Sequence, residues 1–377
     1  MTKGISQHAA KEFYMLTKPI FRPSFGNRPD QLIGRDDVLE KITDGLQSYR
    51  GSAERATLLV GQRGMGKTAL LLEIGDRAAA IDYVTARVTC NESMLENLIE
   101  LLQRAGEKFI KTPASSIKGF SAGALGFSFG LTFTEEAQRS FGFRVKLEMI
   151  CEKLAEAGKR VLILVDEVSP SVVQMRELAS AYQELVGNEA DISIVMAGLP
   201  SSISDILNYK TLTFLNRAQR IPVGLLPVSE VELYYSTAFA RAGINTTAAI
   251  VKQAAIYTKG FPYLIQLIGY YLSKLSDGGK MADDSALAQA ESLATEEIDS
   301  KVFQAMINPL SDKDLDFLKA LAQDNGASNM SVLEKRMGVS HGTAQTYRKR
   351  LIDAGIILCK PSGSLTYDEF QRTAARR

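Results

Sequence analysis

Apolar positions along this chain switch repeatedly between helical spacing and short continuous runs. From Asp36 to Tyr49, DDVLEKITDGLQSY puts Val38, Leu39, Ile42 and Leu46 on one helical face. ATLLV at 56–60 is a short apolar run ending in a Gly-rich turn, the pattern of a buried parallel strand that feeds a helix. The alternation then repeats. TALLLEIGDRAAA (68–80) is helical, YVTARVTC (83–90) strand-like and NESMLENLIELLQRAGEKF (91–109) helical. GFRVKLEMICEKLAEAGKR (142–160) predicts a helix, VLILV (161–165) a buried strand, 171–187 a helix and ISIVMAG (192–198) another buried strand. IPVGLL (221–226) predicts the fifth strand. Strands that alternate with helices predict a parallel sheet covered on both faces.

Beyond Pro227 the strand pattern stops. Ser229 followed by Glu232 predicts a capping box opening a helix, and 229–308 reads as three or four helices. After about residue 310 the pattern becomes three short helices and a hairpin. The predicted organisation is an irregular arm at 1–31 (with Pro19, Pro23, Gly26 and Pro29), an α/β core at 32–227, a helical segment at 228–309 and a C-terminal domain at 310–377. An insert, SIKGFSAGALGFSFGLTF (116–133), alternates aromatic and Gly residues and predicts a hairpin with a solvent-side structural role. No internal repeat is visible.

Composition narrows the partners. Across 377 residues, 44 basic and 43 acidic side chains leave a net charge of +1, so no global field draws the chain to nucleic acid or membrane, and any basic surface is local. Three dispersed cysteines (Cys90, Cys151, Cys359) and two histidines (His8, His341) do not make a structural zinc site, and they read as reduced thiols. The N-terminus has no signal-type apolar run and no stretch approaches the ~18 apolar residues of a membrane span. The expected location is the cytoplasm.

The chemistry begins at Gly61-Gln62-Arg63-Gly64-Met65-Gly66-Lys67-Thr68, which fits GxxxxGK[ST] at every fixed position, with Ala69 continuing the helix. The glycines let successive N–H groups point inward at phosphate oxygens, and the helix that follows presents its positive end to the same anion. Lys67 can reach the outer phosphates, and the Thr68 hydroxyl can ligate Mg²⁺. The VLILV run ends in Asp166-Glu167. Asp166 would hold the metal through water and Glu167 would polarise the attacking water. The alternative is an acidic pair that caps the next helix.

At these residues the chain resembles the AAA+ superfamily, specifically origin-recognition-like and signalling (STAND-like) ATPases. The resemblance implies ATP with Mg²⁺ as ligands. It also implies that Ile33-Gly34-Arg35 lies along the adenine, and that the segment carrying Gly260-Phe261-Pro262 is a lid closing over the nucleotide through Pro262. Helix punctuation is the other reading of that Gly and Pro. Arg217 and Arg220 stand where the family carries an arginine finger for a neighbouring subunit, which would make a homo-oligomer; surface arginines paired with local acids are the alternative. Two departures point to slow hydrolysis. ISIVMAGLP offers Met196, Ala197 and Gly198 where relatives have a polar sensor, and the nearest polar group to GFPYLIQ is Gln266 rather than an arginine.

The C-terminal segment resembles a winged helix-turn-helix: 314–323, 331–337 and 341–354 as helices, Ser340 as N-cap of the third, and a hairpin of 356–360 with 364–367 around Pro361-Ser362-Gly363. The third helix would be the recognition helix for double-stranded DNA. His341, Gln345, Thr346, Arg348, Lys349 and Arg350 are its candidate contacts, while Ala344, Tyr347 and Leu351 pack inward. Docking of a partner protein through the wing, in a nucleotide-switched signalling ATPase, is the alternative.

Overall fold

The structure, a computed structural model, describes residues 19–23, 28–110, 127–129, 131–169, 171–210, 212–276, 281–303, 308, 310–324, 328–353, 356–359 and 365–367. It divides into two compact units, one of 35–224 with 306–377 and one of 1–34 with 225–305.

The first unit opens with α1 (Asp36–Gln47), whose Leu39, Ile42 and Leu46 are buried. There follow β1 (Ala56–Val60), α2 (Lys67–Ala80), β2 (Tyr83–Thr89), α3 (Met94–Gly106), β3 (Phe127–Phe129), β4 (Thr132–Phe133), α4 (Glu135–Ser140) and α5 (Phe143–Glu156). Then come β5 (Arg160–Asp166), α6 (Val173–Gly187), β6 (Ile192–Gly198), α7 (Pro200–Leu207) and β7 (Gln219–Pro222). Five strands form one parallel sheet in the order β2-β5-β6-β1-β7. β6 is buried along its whole length and β5 along all but its first residue, which is why both are dominated by apolar residues, with Ser193 the polar exception inside β6 and Asp166 at the tip of β5.

Two expectations change here. The fifth strand runs over 219–222 rather than 221–226, because its one neighbour, β1, ends at Val60 opposite Pro222. After the Val223 N–H bond to the Val60 carbonyl, the chain has nothing further to ladder against. The last part of the insert does form an antiparallel pair, β3 with β4, but not on the solvent side: Leu131 and Phe133 belong to the core. Gln103 donates to the Leu131 carbonyl, and a Cβ on Gly106 would meet the Leu131 side chain at 2.6 Å. Residues 116–126 of the insert lie outside the described residues.

The second unit holds α8 (Val228–Arg241), β8 (Asn245–Thr246), α9 (Ala248–Thr258), α10 (Pro262–Leu275), β9 (Met281–Ala282) and α11 (Asp284–Ile298). The Ser229–Glu232 capping box does not form. Pro227 is the N-cap of α8, with no side-chain cap bond, and its carbonyl takes the Glu230 and Val231 N–H groups directly. Ser229 is thus already inside the helix. Part of the expected irregular arm is core: Phe21 is 2% exposed and meets Tyr234, Tyr235 and Phe239 edge-on. A Cβ on Gly269 would stand 2.1 Å from the Phe21 ring, so only Gly admits it.

The chain returns to the first unit as α12 (Asp312–Ala322), α13 (Met330–Met337), α14 (His341–Asp353), β10 (Ile357–Cys359) and β11 (Leu365–Tyr367). β10 and β11 are antiparallel, and Ser328 bridges to Leu365. Phe317, Leu333, Ala344, Leu351, Ile357 and Leu365 are fully buried. Gly338 turns the chain at φ +64°, and Ser340 accepts the Thr343 N–H as N-cap of α14. This is a winged-helix-like arrangement; the turn at 361–363 lies outside the described residues. No helix among the described residues is long and apolar enough to cross a membrane.

Candidate functional site

The loop between β1 and α2 is shaped by its glycines. A Cβ on Gly61 would stand 2.2 Å from the Val223 carbonyl oxygen, so the loop and the exit of β7 touch backbone to backbone. Gly64 and Gly66 hold φ of +78° and +82°, a region that side chains oppose, and Gly66 is the N-cap of α2. Met65 is buried beneath the loop, Arg63 is exposed, and Ala69 lies half-buried in the first turn of α2. The Gln62 amide oxygen is buried and has no hydrogen-bond partner among the described residues.

Lys67 fills this cradle with its own side chain, Nζ donating to the Gly61 and Gln62 carbonyls at 2.8 Å each. Burial pushes its ammonium down to about 8, and nearby Asp166 only partly offsets that. Thr68 Oγ1 donates to Asp166 Oδ2 at 2.7 Å and joins two elements 98 residues apart in sequence. Asp166 is 5% exposed at the tip of β5, and its Oδ1 accepts the Glu167 N–H at 3.0 Å. Glu167 itself is exposed and sits at φ +54°, an uncommon conformation for a residue with a long side chain. It is held there because the next N–H, of Val168, bonds to the Ala197 carbonyl on β6. Asp166 and Glu167 do not cap a helix, since α6 starts only at Val173. A half-buried ammonium on two carbonyls and inward-curling glycines fit a phosphate chain. A hydroxyl with a carboxylate fits a hard divalent cation that takes its other oxygens from phosphate and water. No cluster of three or more His, Cys, Asp or Glu exists among the described residues to hold a metal by protein groups alone.

Comparison with known proteins agrees with this geometry. Residues 49–207 match the family described as an AAA domain, and 300–368 match a domain of unknown function, DUF8462. The fold is similar to that of a Walker-type ATPase of Pyrococcus abyssi (TM-score 0.68, 14% identity, 96% of this chain and 99% of the other). It is also similar to the ORC2 protein of Aeropyrum pernix in ADPNP–ADP complexes (TM-score 0.62, 14% identity, 94% of each chain). The chain thus has the fold of these P-loop ATPases, with the AAA domain at 49–207. In sequence, the chain is 25% identical over 251 residues to ATP synthase subunit alpha 2 of Burkholderia thailandensis, of which it spans 40%.

Other residues expected at an AAA+ site fall in several places. Ile33 and Gly34 precede α1, Gly34 at φ +58°, and Arg35 donates to the Gly224 carbonyl just after β7, its guanidinium pulled down by burial. Pro262 occupies the first turn of α10 in the second unit, after Lys259 and Gly260 at φ +47° and +77°. Gly260 is obligatory there: a Cβ would lie 1.8 Å from the Leu226 carbonyl oxygen. Gln266 accepts the Arg22 N–H, so it serves the Phe21 anchor. Arg217 is exposed in a turn (Thr213–Arg217) before β7, whereas Arg220 lies within β7 and donates to Asn216. At the end of β6, Met196, Ala197 and Gly198 are buried and carry no polar side-chain group.

On α14, Lys349 and Thr346 are exposed, Thr346 bonding back to the Gly342 carbonyl. His341 Nδ1 is 2.7 Å from Glu334, Gln345 lies between His341 and Arg348, and Arg348 Nη1 donates to Gln345. Arg350 binds buried Asp314 on α12 through Nε and Nη2, at 3.1 and 2.8 Å, and so is part of the domain's frame. One residue beside Asp166 belongs to no motif in the sequence. Arg87 on β2 places Nη1 3.7 Å from Asp166 Oδ2. Its signal was a charge interrupting the alternating strand YVTARVT two residues before the strand's end.

Proposed function

We propose that the chain is a cytoplasmic, nucleotide-controlled ATPase that binds ATP with Mg²⁺ in the Gly61–Thr68 loop and uses the nucleotide state to govern a C-terminal winged helix that contacts double-stranded DNA. The observation that carries the reading is the meeting of Lys67, Thr68 and Asp166 in one glycine-walled cradle. Lys67 exchanges its two loop carbonyls for the outer phosphates, and Thr68 and Asp166 hold the metal, which neutralises phosphate charge when bound. Ile33 and Arg35 flank the base, and Pro262 belongs to the lid. Glu167 orients the water for in-line attack. Turnover is slow, because β6 ends without a polar group to hold the phosphate. The ORC2 protein described with ADPNP and ADP supports a nucleotide as ligand. The working parts are a core at 32–227, a lid at 228–309 and a wing at 310–377. Arg217, exposed before β7, serves a neighbouring copy in a homo-oligomer. Mixing Arg217→Ala with Lys67→Ala should restore ATPase activity that each lacks alone, and failure to do so would remove that role.

For the wing, Lys349, Thr346 and Gln345 are the contacts best placed to meet DNA. A second reading, docking of a partner protein, is favoured by the pairing of Arg350 with Asp314 and Arg336 with Asp324, which takes two of the domain's arginines away from any phosphate contact. DNA binding measured with and without ATP across a salt series separates the two. Phosphate contacts give a steep slope of log affinity on log salt; a flat slope, or no binding, favours the protein partner.

A further inference from the structure

β2 is an edge strand of the main sheet, and its residues alternate between two faces. Ala86 and Val88 point into the core, and Thr85, Arg87 and Thr89 point to the other face. That second face lies toward α2: a Cβ on Gly75 of α2 would meet Thr85 Oγ1 at 4.0 Å. Arg87 is therefore on the same side of the sheet as the helix that begins with Lys67 and Thr68. In register it sits opposite Leu164, two residues before Asp166, and its side chain reaches forward to that carboxylate.

A charged residue on an edge strand is ordinarily a solvated pair of little consequence. Arg87 differs in its partner. Asp166 has a side chain only 7% exposed, and the oxygen that Arg87 approaches, Oδ2, also takes the Thr68 hydroxyl. Those are the two protein oxygens that would face the metal. At 3.7 Å the pair is longer than a hydrogen bond, and 39% of the Arg87 side chain remains exposed, so the guanidinium is near the acid without being locked to it. A divalent cation arriving at Oδ2 would repel it. The terminal phosphate of a nucleotide seated in the loop would then offer an anion whose geometry suits the guanidinium fork. No polar side chain stands at the end of β6 to do this instead.

We propose that Arg87 is a phosphate-sensing residue of the nucleotide site, moving from Asp166 to the terminal phosphate of a bound nucleoside triphosphate and so making the site prefer a triphosphate to a diphosphate. The proposal rests on the nucleotide-binding reading above. With a diphosphate the guanidinium has no terminal phosphate to meet and adds nothing to affinity.

The test is the affinity of the full chain for ADP and for ADPNP, each with Mg²⁺, in the parent and in Arg87→Ala, Arg87→Gln and Arg87→Lys. Arg87→Ala and Arg87→Gln should weaken ADPNP by about 10–100-fold and ADP by less than about threefold. Arg87→Lys, which keeps the charge but not the fork, should fall between. If either neutral variant weakens ADP and ADPNP by the same factor, Arg87 merely positions Asp166 and the proposal is wrong. It is equally wrong if neither affinity moves. A parent that binds neither nucleotide would overturn the underlying reading, a result distinguishable because it appears before any substitution is made. Arg87→Gln keeps the aliphatic stem and a polar end, so its melting temperature should stay near the parent's and guards against a folding effect in Arg87→Ala.

Discussion

Lys67 should weaken the protein that needs it. Its ammonium is held at about 8, against 10.5 when free, with burial as the largest cause. A base with a depressed folded value binds fewer protons folded than unfolded between those two values, so stability rises with pH across that window. The cost of burying the charge is fully present below pH 8, falls from pH 8 to 10.5 and is gone above. At about 1.4 kcal/mol per pH unit, the gap sets a ceiling of about 3 kcal/mol at pH 7. The two carbonyl bonds and residual solvent contact bring the expected net effect to about 1–3 kcal/mol. Lys67→Met keeps the length and removes the charge. Without nucleotide, the variant should melt about 2–6 °C above the parent at pH 7, with the difference shrinking toward zero by pH 10.5. Saturating ATP with Mg²⁺ should reverse the order, because a thousandfold excess over Kd adds about 4.1 kcal/mol to a protein that binds and nothing to one that does not. Scanning calorimetry at pH 7 and pH 10, with and without nucleotide, reads all four values. A variant that melts at or below the parent at pH 7 without nucleotide, or a difference that does not change with pH, would refute the reasoning.

Three further outcomes follow from particular contacts. Glu167→Gln should bind ATP within about threefold of the parent and hydrolyse it about 10–100-fold more slowly, and a parental rate in single-turnover assays would remove Glu167 as the water-orienting group. Gly260→Ala should destabilise the second unit by about 1–2 kcal/mol from the left-handed backbone and by more from the Leu226 carbonyl, as read by denaturant melts; an unchanged midpoint would contradict the close approach. Lys349→Ala should flatten the salt slope of DNA binding by about one with little loss of stability, while Arg350→Ala should cost about 1–3 kcal/mol of stability by stripping buried Asp314 of its guanidinium; the opposite pattern would exchange their roles.

The parallel sheet and the phosphate loop were legible because each is encoded locally. Continuous apolar runs mark strands buried on both faces, and the glycine spacing of 61–68 has few other uses. The joining of Thr68 to Asp166 could be foreseen because α2 begins at the same end of the parallel sheet at which β5 finishes, one strand away from β1. What escaped depends on contacts distant in sequence. The β7 boundary is set by where β1 stops, the α8 start by the Pro227 carbonyl, and the Phe21 anchor by a gap at Gly269 that no local pattern announces. Arg350 looked like one of three equivalent basic residues, and only the fold reveals that its turn of α14 faces Asp314. Arg87 likewise acquires a role only once β2 is placed beside β5.

The central claim is that the Gly61–Thr68 loop holds a magnesium nucleotide through Lys67. Calorimetric titration of ATP with Mg²⁺ into the parent and into Lys67→Ala tests it most directly. The account predicts one saturable site in the parent and an affinity at least about tenfold weaker in the variant, since a charge-assisted contact to the phosphates is lost. Equal affinity in the two proteins, with both folded, would contradict it.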